Sequence, residues 1–120
     1  MEIFEDVASL FRALMHPTRL AILEILRSGE ECVCHMEATL GLRQAYISQQ
    51  LAVLRQVGLV SVRRDGWNIF YKVTRPEVFA VIDAAWAMLP ARDQKHLAAQ
   101  AIAPKAGKCP CPKCSVQVAA

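Results

Sequence analysis

Apolar residues recur at helical spacing through the first forty positions of the chain. Between residues 7 and 14 they return every three or four positions, which predicts a first helix. Pro17 suits the first turn of a second helix, because the N–H that proline lacks would have no partner there. Gly29 is a C-cap signal that ends this second helix. A short third helix is predicted from near Cys32 to Leu40.

The stretch LRQAYISQQLAVLRQVGLV, residues 42–60, predicts a helix with two unlike faces. Ile47, Leu51 and Leu54 step by four and three, so they face a core. Two short helices joined by a glycine turn, the second polar on its outer side, are typical of a helix-turn-helix. The expected outer face carries Gln44, Tyr46, Gln49, Gln50 and Arg55.

The pattern changes from a helical to an alternating period at Val60. Apolar and polar residues then alternate, Asp65-Gly66 is a hairpin turn signal, and the return strand is rich in aromatic and β-branched residues. A hairpin directly after a helix-turn-helix predicts a winged helix, with residues 64–68 as the tip of the wing.

The C-terminal part divides into a helical region and a tail. Thr74 and Glu77 fit a capping box that opens another amphipathic helix. A second helical piece is expected over residues 91–102. From residue 103 onward, prolines and a glycine predict a flexible, extended segment.

The predicted fold class is therefore α+β, mainly α: a winged helix-turn-helix with a two-stranded β-hairpin as its wing. This DNA-binding and dimerisation domain would occupy residues 1–102, and residues 103–120 would form a flexible cysteine-rich tail. A length of 120 residues fits one domain. Because a chain this small buries a modest share of its surface, a dimer interface is a natural addition.

Charge is unevenly distributed along the chain, whose net charge is +3. Residues 1–40 hold seven acidic and three basic side chains, whereas residues 41–75 hold one acidic and six basic ones. Such a surplus favours a polyanionic partner, although a solvated basic face would have the same composition. No run of 18 apolar residues indicates a membrane span, and the acidic N-terminus does not fit a signal peptide. We therefore expect a cytoplasmic protein without a membrane partner.

Five cysteines fall into two clusters, which are Cys32 and Cys34 in ECVCHM, and Cys109, Cys111 and Cys114 in KCPCPKC. In a reducing cytosol such clusters favour metal binding or redox sensing over structural disulfides. Residues i and i+2 point about 200° apart on a helix and lie about 7 Å apart on a strand. One ion can therefore reach both thiols of the first cluster only if the backbone distorts.

Two thiolates do not fill a coordination shell, and we expect the tail to supply the remaining sulfur ligands. Three thiolates suit As(III), Sb(III) or Pb(II), and four suit Cd(II) or Zn(II). Other interpretations stay open: the first pair are buried small residues, the tail thiols are incidental, or the two clusters form separate sites. No catalytic constellation stands out, so we do not expect an enzyme.

The motifs LFRALMHPTRLAILEIL, ECVCHM, ISQQLAVLRQVGLV and RRDGWNIFYKV, in this order and at this spacing, resemble the ArsR/SmtB metalloregulators, and the resemblance covers roughly residues 5 to 100. The resemblance implies a homodimeric winged-helix repressor, paired through its first and last helices, that leaves operator DNA when it binds a metal ion. The thiolate ligands of the arsenic and cadmium/lead sensors map onto Cys32 and Cys34. At the family's C-terminal zinc site only Asp83 and His96 match, which implies that this site is absent or crippled.

The expected DNA contacts lie on the second helix of the helix-turn-helix and on the wing. Amide and hydroxyl groups can read base edges, and basic side chains can meet phosphates. On the helix the candidates are Arg43, Gln44, Tyr46, Ser48, Gln49 and Gln50, and on the wing they are Arg63, Arg64, Trp67 and Lys72. For Trp67, stacking on a sugar and packing across the hairpin are both open. A dimer with recognition helices about 34 Å apart predicts an inverted repeat in double-stranded operator DNA.

The function predicted from these features is a repressor released by As(III) or its relative Sb(III), or by Cd(II) or Pb(II). Two alternatives remain. A thiol-redox or sulfide sensor on the same fold would use the cysteines without a metal ion. A metal storage or delivery protein would use the tail alone.

Overall fold

The structure, a computed structural model, describes residues 1–91 as a helical body with a small antiparallel sheet. The elements in chain order are α1 (Glu2–Leu14), α2 (Pro17–Leu26), β1 (Glu31–Cys32), α3 (Val33–Leu40), α4 (Gln44–Gln56), β2 (Val60–Asp65), β3 (Asn68–Val73) and α5 (Glu77–Ala87). Helices α3 and α4 form the helix-turn-helix, and β2 and β3 form the wing, so the predicted fold class is confirmed. Outside the described residues lie the helical piece expected to reach residue 102, His96, and the tail with Cys109, Cys111 and Cys114.

The sheet contains a third strand that the sequence pattern did not predict. Its order is β1-β3-β2, and both pairs are antiparallel. In β1, Glu31 lies opposite Tyr71 and Cys32 opposite Phe70. The expectation that the third helix begins near Cys32 needs a correction, because Cys32 ends a strand and caps α3 from outside. The thiol cluster is thereby attached to the inner strand of the wing.

The hydrophobic core lies where α2, α3 and α4 meet. Its side chains without solvent exposure are Ile22, Leu23, Met36, Ile47, Leu51 and Leu54. Burial of each such side chain contributes about 1.5–3 kcal/mol. The predicted inner face of α4 is therefore confirmed, and the outer side of this helix is free for another partner.

The turn between α3 and α4 is made by Gly41, whose φ of 67° lies in the left-handed region. A side chain with a Cβ rarely adopts this conformation, so glycine is the residue best suited to end α3 here. The N–H of Gly41 donates to the carbonyl oxygen of Glu37 at 2.9 Å. This turn fixes the angle at which α4 leaves the core.

Helix α1 packs against the rest of the subunit mainly near its C-terminal end. Ala13 and Leu14 are buried, whereas the apolar side chains of the earlier turns are largely exposed, among them Ile3, Phe4, Val7 and Phe11. A groove of about 880 Å³ lies between α1, α2 and α5, lined mostly by apolar side chains such as Phe11, Leu20, Val81 and Trp86. The face of the subunit formed by α1 and α5 is thus strongly apolar.

The predicted capping box at the start of α5 does not form. The N-cap residue of α5 is Pro76, which gives no side-chain hydrogen bond. The Thr74 hydroxyl instead donates to the carbonyl oxygen of Gly58 at 2.8 Å, and its N–H donates to that of Leu59 at 2.9 Å. Thr74 therefore joins the end of the wing to the end of α4.

An ion pair joins α5 to α2 through Arg27. Its guanidinium donates to both oxygens of Asp83, at 2.7 and 3.1 Å, and also to Glu24. These hydrogen bonds hold the pKa of Asp83 below its ordinary value. Arg27 also lies over the ring of Phe79, 4.6 Å from its centroid.

Within residues 1–91, no helix has the length and apolar character needed to cross a bilayer.

Candidate nucleic-acid interface and thiol site

The outer side of α4 presents polar groups to solvent, as the sequence predicted. Arg43, at the N-cap, and Gln44 and Gln49 are exposed, and Ser48 is partly exposed. Arg43 gives no side-chain hydrogen bond to the helix, so its guanidinium is available to an external group. These residues form one surface on the helix that a helix-turn-helix places in the major groove.

Tyr46 is only partly exposed, because its hydroxyl is directed toward the start of α2. The hydroxyl oxygen lies 3.4 Å from Thr18 Oγ1 and 3.4 Å from His16 Nε2. His16 Nδ1 accepts from the N–H of Thr18 at 3.2 Å, so the neutral ring carries its proton on Nε2 and donates it toward Tyr46. Tyr46 thus belongs to the contact between α2 and α4 as well as to the outer face.

Gln50 does not lie on the outer face, and that part of the prediction is wrong. Its side chain is buried, and its Oε1 accepts from Nε of Arg19 at 2.9 Å. The position falls three residues after Ile47 and four before Leu54, which is the stripe that faces the core. Gln50 therefore holds α4 in place from inside, and we remove it from the set of expected DNA contacts.

The wing presents an exposed tip with aromatic and basic side chains. Trp67 is fully exposed, so it does not pack across the hairpin, and that alternative is excluded. Arg64 and Lys72 are exposed too. Full exposure leaves the indole of Trp67 available to an external group.

Arg63, also expected to meet phosphate, is engaged within the subunit. Its guanidinium donates to both carboxylate oxygens of Glu30, at 2.6 and 3.1 Å. These bonds raise the pKa of Arg63 above its ordinary value. The same guanidinium lies over the ring of Phe70, 4.8 Å from the centroid. The wing is thereby connected to the residue that precedes β1.

Cys32 occupies the junction between the sheet and the helix-turn-helix. Its side chain is 1% exposed and packs against Phe70 of β3, with Cys34 and Ala38 beside them. Its Sγ accepts from the N–H of His35 at 3.2 Å, which caps α3. An N–H directed at sulfur near a helix N-terminus stabilises negative charge on the thiol.

The second thiol, Cys34, lies in the first turn of α3 and is partly exposed. Glu31, three positions before Cys34, and His35, directly after it, are both buried. His35 Nδ1 lies 3.6 Å from a carboxylate oxygen of Glu31. The charged residues next to Cys32 in the sequence therefore do not indicate that Cys32 is exposed. Cys32 has the burial expected for a small core residue, although its position at a helix cap gives it chemistry that a core residue lacks.

The donor set present in the described residues fits a soft ion in type but not in number. Two thiols suit As(III), Cd(II) or Pb(II) better than they suit Mg²⁺ or Ca²⁺. Within residues 1–91, however, no group of three His, Cys, Asp or Glu side chains could hold a metal ion. A complete sulfur shell needs donors from outside this range, such as the three tail cysteines.

Asp83, one of the two matches to a zinc site on the last helix, is held by Arg27 in the two-point ion pair described above. A carboxylate in this pair must leave a guanidinium before it can bind a metal ion. The contact supports the expectation that this second metal site is absent or crippled.

The fold and the polar outer face of α4 define a winged helix-turn-helix regulator of the DNA-binding kind. A sequence model of the family described as "Bacterial regulatory protein, arsR family" matches residues 16–62. A "Biofilm growth-associated repressor" from Agrobacterium fabrum is 39% identical over 89 residues, which are 74% of this chain and 76% of that protein. The chain belongs to the ArsR family, whose members are transcriptional regulators.

Solved structures extend this similarity to the fold. The reduced form of HlyU from Vibrio cholerae has a TM-score of 0.64 and 34% identity, over 69% of this chain and 87% of that chain. The homodimeric winged helix-turn-helix DNA-binding domain of Mb0332 from Mycobacterium bovis has a TM-score of 0.65 and 28% identity. That match covers 72% of this chain and 82% of the Mb0332 fragment.

Several residues of the site were not found from the sequence. Arg19, Glu30 and Phe70 each contact a predicted functional residue from a distant part of the chain. Their partners lie about thirty or more positions away, and periodicity reports only on neighbours within a helix or strand. The one available signal was the position of Gln50 on the core stripe of α4.

Proposed function

We propose that this ArsR-family regulator is a repressor whose affinity for operator DNA is controlled by its cysteines. It binds an inverted repeat as a homodimer, and it is released when Cys32 and Cys34 take up a soft ion of the class of As(III), Sb(III), Cd(II) or Pb(II). Cys109, Cys111 and Cys114 of the tail complete the sulfur ligand set.

The apolar face made by α1 and α5 supports the dimer. Exposed side chains such as Phe4, Phe11 and Met88 would stay in contact with water in a single subunit. Burial of apolar area contributes about 25 cal/mol per Å², so pairing of two such faces is favourable. The homodimeric state named for Mb0332 points the same way.

The outer face of α4 and the wing support the DNA contact. Arg43, Gln44, Ser48 and Gln49 would read or position the major groove, with Tyr46 at the edge of this surface. On the wing, Arg64 and Lys72 would meet phosphates and Trp67 would stack on a sugar. In a dimer the two recognition helices lie about 34 Å apart, which is one turn of DNA.

The observation that carries the proposal is the position of Cys32 between two DNA-contacting units. Its backbone is paired with Phe70 of the wing, and its sulfur caps α3, the first helix of the helix-turn-helix. A change in the geometry of this one residue therefore reaches both units. A ligand bound elsewhere on the subunit would need a longer path.

Ligand binding must change that geometry. Cys32 is the last residue of a strand, and its sulfur contacts Phe70 and the N–H of His35, whereas Cys34 lies in the first turn of a helix. A shared ion therefore draws the sulfur of Cys32 out of its present contacts. When Cys32 turns toward a shared ion, it leaves the ring of Phe70 and gives up the N–H of His35. The cap of α3 and the packing under the wing are then lost together.

The wing responds through Arg63. Its guanidinium lies on Phe70 and binds Glu30, which is two residues before Cys32. Displacement of the segment from Glu30 to Cys32 removes both supports at once. The wing then leaves the position that suits the DNA backbone, and operator affinity falls.

The test is a titration of operator binding with and without each ion. An operator is first selected from random double-stranded DNA with the metal-free protein. Its affinity is then measured in anaerobic buffer with arsenite, Sb(III), Cd(II), Pb(II) or Zn(II), for the wild type and for Cys32→Ser. We expect one or more soft ions to weaken wild-type binding by about 5- to 150-fold, the usual range of allosteric coupling.

The Cys32→Ser variant should keep its operator affinity and lose most of the response. A serine hydroxyl can accept the N–H of His35 in place of sulfur, so α3 stays capped. Release of DNA by a variant with all five cysteines changed to serine would contradict the proposal. If Cys32→Ser released DNA as strongly as the wild type, the ion would be bound by the remaining cysteines and not by Cys32.

A second candidate is thiol oxidation in place of ion binding. The structure of reduced HlyU on the same fold indicates that redox state was a variable for that relative. Here two thiols would lose two electrons and two protons to an oxidant such as hydrogen peroxide, which forms water, and one S–S bond would form. Thiolate-to-metal absorbance in the ultraviolet, recorded anaerobically, separates ion binding from this reaction.

A further inference from the structure

Arg19, near the start of α2, connects two other helices. Its Nε donates to Gln50 of α4 at 2.9 Å, and one Nη donates to the carbonyl oxygens of Arg12 and Ala13 at 3.2 Å each. These carbonyls belong to the last turn of α1, where C=O groups lack the N–H donor four residues on, although the carbonyl of Arg12 also accepts from the N–H of Met15 at 3.3 Å. One guanidinium therefore joins the end of α1 to the middle of the recognition helix.

The contacts of Arg19 are specific to its guanidinium. A guanidinium presents N–H donors in a fixed planar fork, so donors that serve α1 and α4 are held at a set angle. A lysine would offer a single nitrogen on a flexible stem. Gln50 is buried, which shields its hydrogen bond to Arg19 from competing water.

A second link reinforces the first between α2 and α4. Tyr46 contacts Thr18 and His16 through its hydroxyl. The two links leave from the first turn of α2 and meet α4 one helical turn apart, at residues 46 and 50. They fix the rotation of α4 relative to α2, and Arg19 extends this constraint to α1.

Apolar packing within the subunit does little to fix the direction of α1. Ala13 and Leu14 are buried and Leu10 packs partly against the core, whereas Ile3, Phe4 and Val7 of the earlier turns are exposed. The helix is therefore attached mostly at one end, where Arg19 binds it. A small rotation at that end displaces the rest of the helix.

We infer that Arg19 is a positioning residue that sets the separation of the two DNA half-sites. The inference rests on the proposed dimer, in which α1 carries the interface and α4 reads the DNA. A helix of 13 residues is about 20 Å long at 1.5 Å per residue. A rotation of about 10° at the Arg19 end moves the far end by about 3.4 Å, which is one base-pair step.

The experiment measures how operator affinity depends on spacing. Starting from the selected inverted repeat, base pairs are added to or removed from the centre one at a time. Wild type, Arg19→Gln and Arg19→Lys are titrated against each duplex and against a single half-site. Arg12→Gln is the matched control, because Arg12 is exposed and its side chain has no hydrogen bond or ion pair among the residues that the structure describes.

The wild type should bind one spacing best, with about tenfold or more weaker binding when one base pair is added or removed. Arg19→Gln should lose about tenfold at the best spacing, since it removes hydrogen bonds from a charged donor. At the neighbouring spacings it should lose less than about threefold, so the profile becomes flatter. Arg12→Gln should shift all affinities in parallel, and half-site binding should change little in every variant.

A purely structural role would lower stability and all affinities together, and it would leave the shape of the profile unchanged. That result in a variant that remains folded and dimeric, by circular dichroism and sedimentation, would overturn the inference. A flat profile for Arg12→Gln would overturn it too, because charge would then be the cause. If Arg19→Gln does not fold, Arg19→Lys provides the same comparison, because its single nitrogen on a flexible stem cannot hold both helices at a set angle, and its spacing profile should also be flatter. A wild type without any preference for an inverted repeat would instead refute the proposed function.

Discussion

Glu30 and Arg63 form a two-point ion pair that ties the wing to the segment before Cys32, with N–O distances of 2.6 and 3.1 Å. Arg63 cannot give the same donors to a DNA phosphate while Glu30 holds them. In the proposed complex, Glu30 would therefore compete with DNA for one basic side chain of the wing. The pair also connects the segment before Cys32 to β2.

Glu30→Gln should strengthen operator binding severalfold at low salt. The change removes one negative charge near the wing and weakens the hold of residue 30 on Arg63, while Phe70 still supports the guanidinium, so the wing keeps its position and Arg63 can turn to a phosphate. One added phosphate contact should steepen the slope of log K against log salt by about 0.9. Fluorescence anisotropy at several salt concentrations measures both quantities.

The same variant should respond less to a soft ion, because Arg63 no longer depends on the position of residue 30. Glu37→Gln is the control: Glu37 is an exposed acid on α3, without an ion pair in the described part of the chain. An unchanged salt slope in Glu30→Gln would mean that Arg63 does not reach the DNA.

Substitutions of Cys32 should separate its cap from its packing. Cys32→Ala removes the acceptor for the N–H of His35 and leaves a void beside Phe70, so we expect a loss of about 1–2 kcal/mol in stability. Cys32→Ser restores the acceptor and should lose less. Cys34→Ser, at a partly exposed position, should change stability by less than about 0.5 kcal/mol.

Urea denaturation at a fixed protein concentration and under reducing conditions gives these values, since a dimer is stabilised by mass action. Equal losses for Cys32→Ala and Cys32→Ser would show that the contact between Cys32 and His35 does not stabilise α3.

Much of the fold follows from periodicity, and the exceptions have specific causes. Ile47, Leu51 and Leu54 were placed correctly, because burial on one face dictates the spacing of apolar residues on a helix. The same spacing puts Gln50 on the inner stripe, but its amide made it resemble the exposed Gln49. The polar amide suggests an exposed residue, but the position of Gln50 on the apolar stripe correctly indicates burial.

The third strand could not have been predicted from the pattern. It has two residues, Glu31 and Cys32, and alternation needs about four to be recognised. Its existence depends on pairing with β3, which lies almost forty positions away. The ion pairs of Arg63 with Glu30 and of Arg27 with Asp83 also join positions more than thirty residues apart, so the candidate site could be predicted by residue type but not by its internal connections.

The ion pair between Arg27 and Asp83 predicts a pH dependence of stability. Hydrogen bonds from Arg27 lower the pKa of Asp83 from an ordinary value of 3.8. The folded state therefore gains stability from this carboxylate above pH 3.8, and it loses that gain as the pH falls through the lowered pKa. Asp83→Asn should unfold at a lower temperature than wild type near neutral pH.

The difference between the two should shrink steadily below pH 3.8 and approach zero in stronger acid. Thermal melts of both proteins from neutral pH to strong acid, with Glu37→Gln as a control for the loss of one surface charge, provide the comparison. A difference that does not depend on pH would assign the effect of Asp83→Asn to packing on α5.

Trp67 offers a direct optical test of the wing. The chain contains two tryptophans, and Trp67 is fully exposed whereas Trp86 is partly buried beside the groove between α1 and α5. In a Trp86→Phe variant all indole fluorescence comes from the wing tip. If the tip stacks on a sugar, operator DNA should shift the emission to shorter wavelength or quench it, and it should protect the indole from iodide.

The Trp67→Phe variant reports Trp86 alone, so its emission should hardly change when the same DNA is added. Its operator affinity should fall by about five- to tenfold, the loss expected when one aromatic contact is reduced. An indole at position 67 that stays fully open to iodide on saturating operator DNA would place the wing tip away from the duplex. In that case the basic residues of the wing would act at a distance, and the affinity of Trp67→Phe would equal that of the wild type.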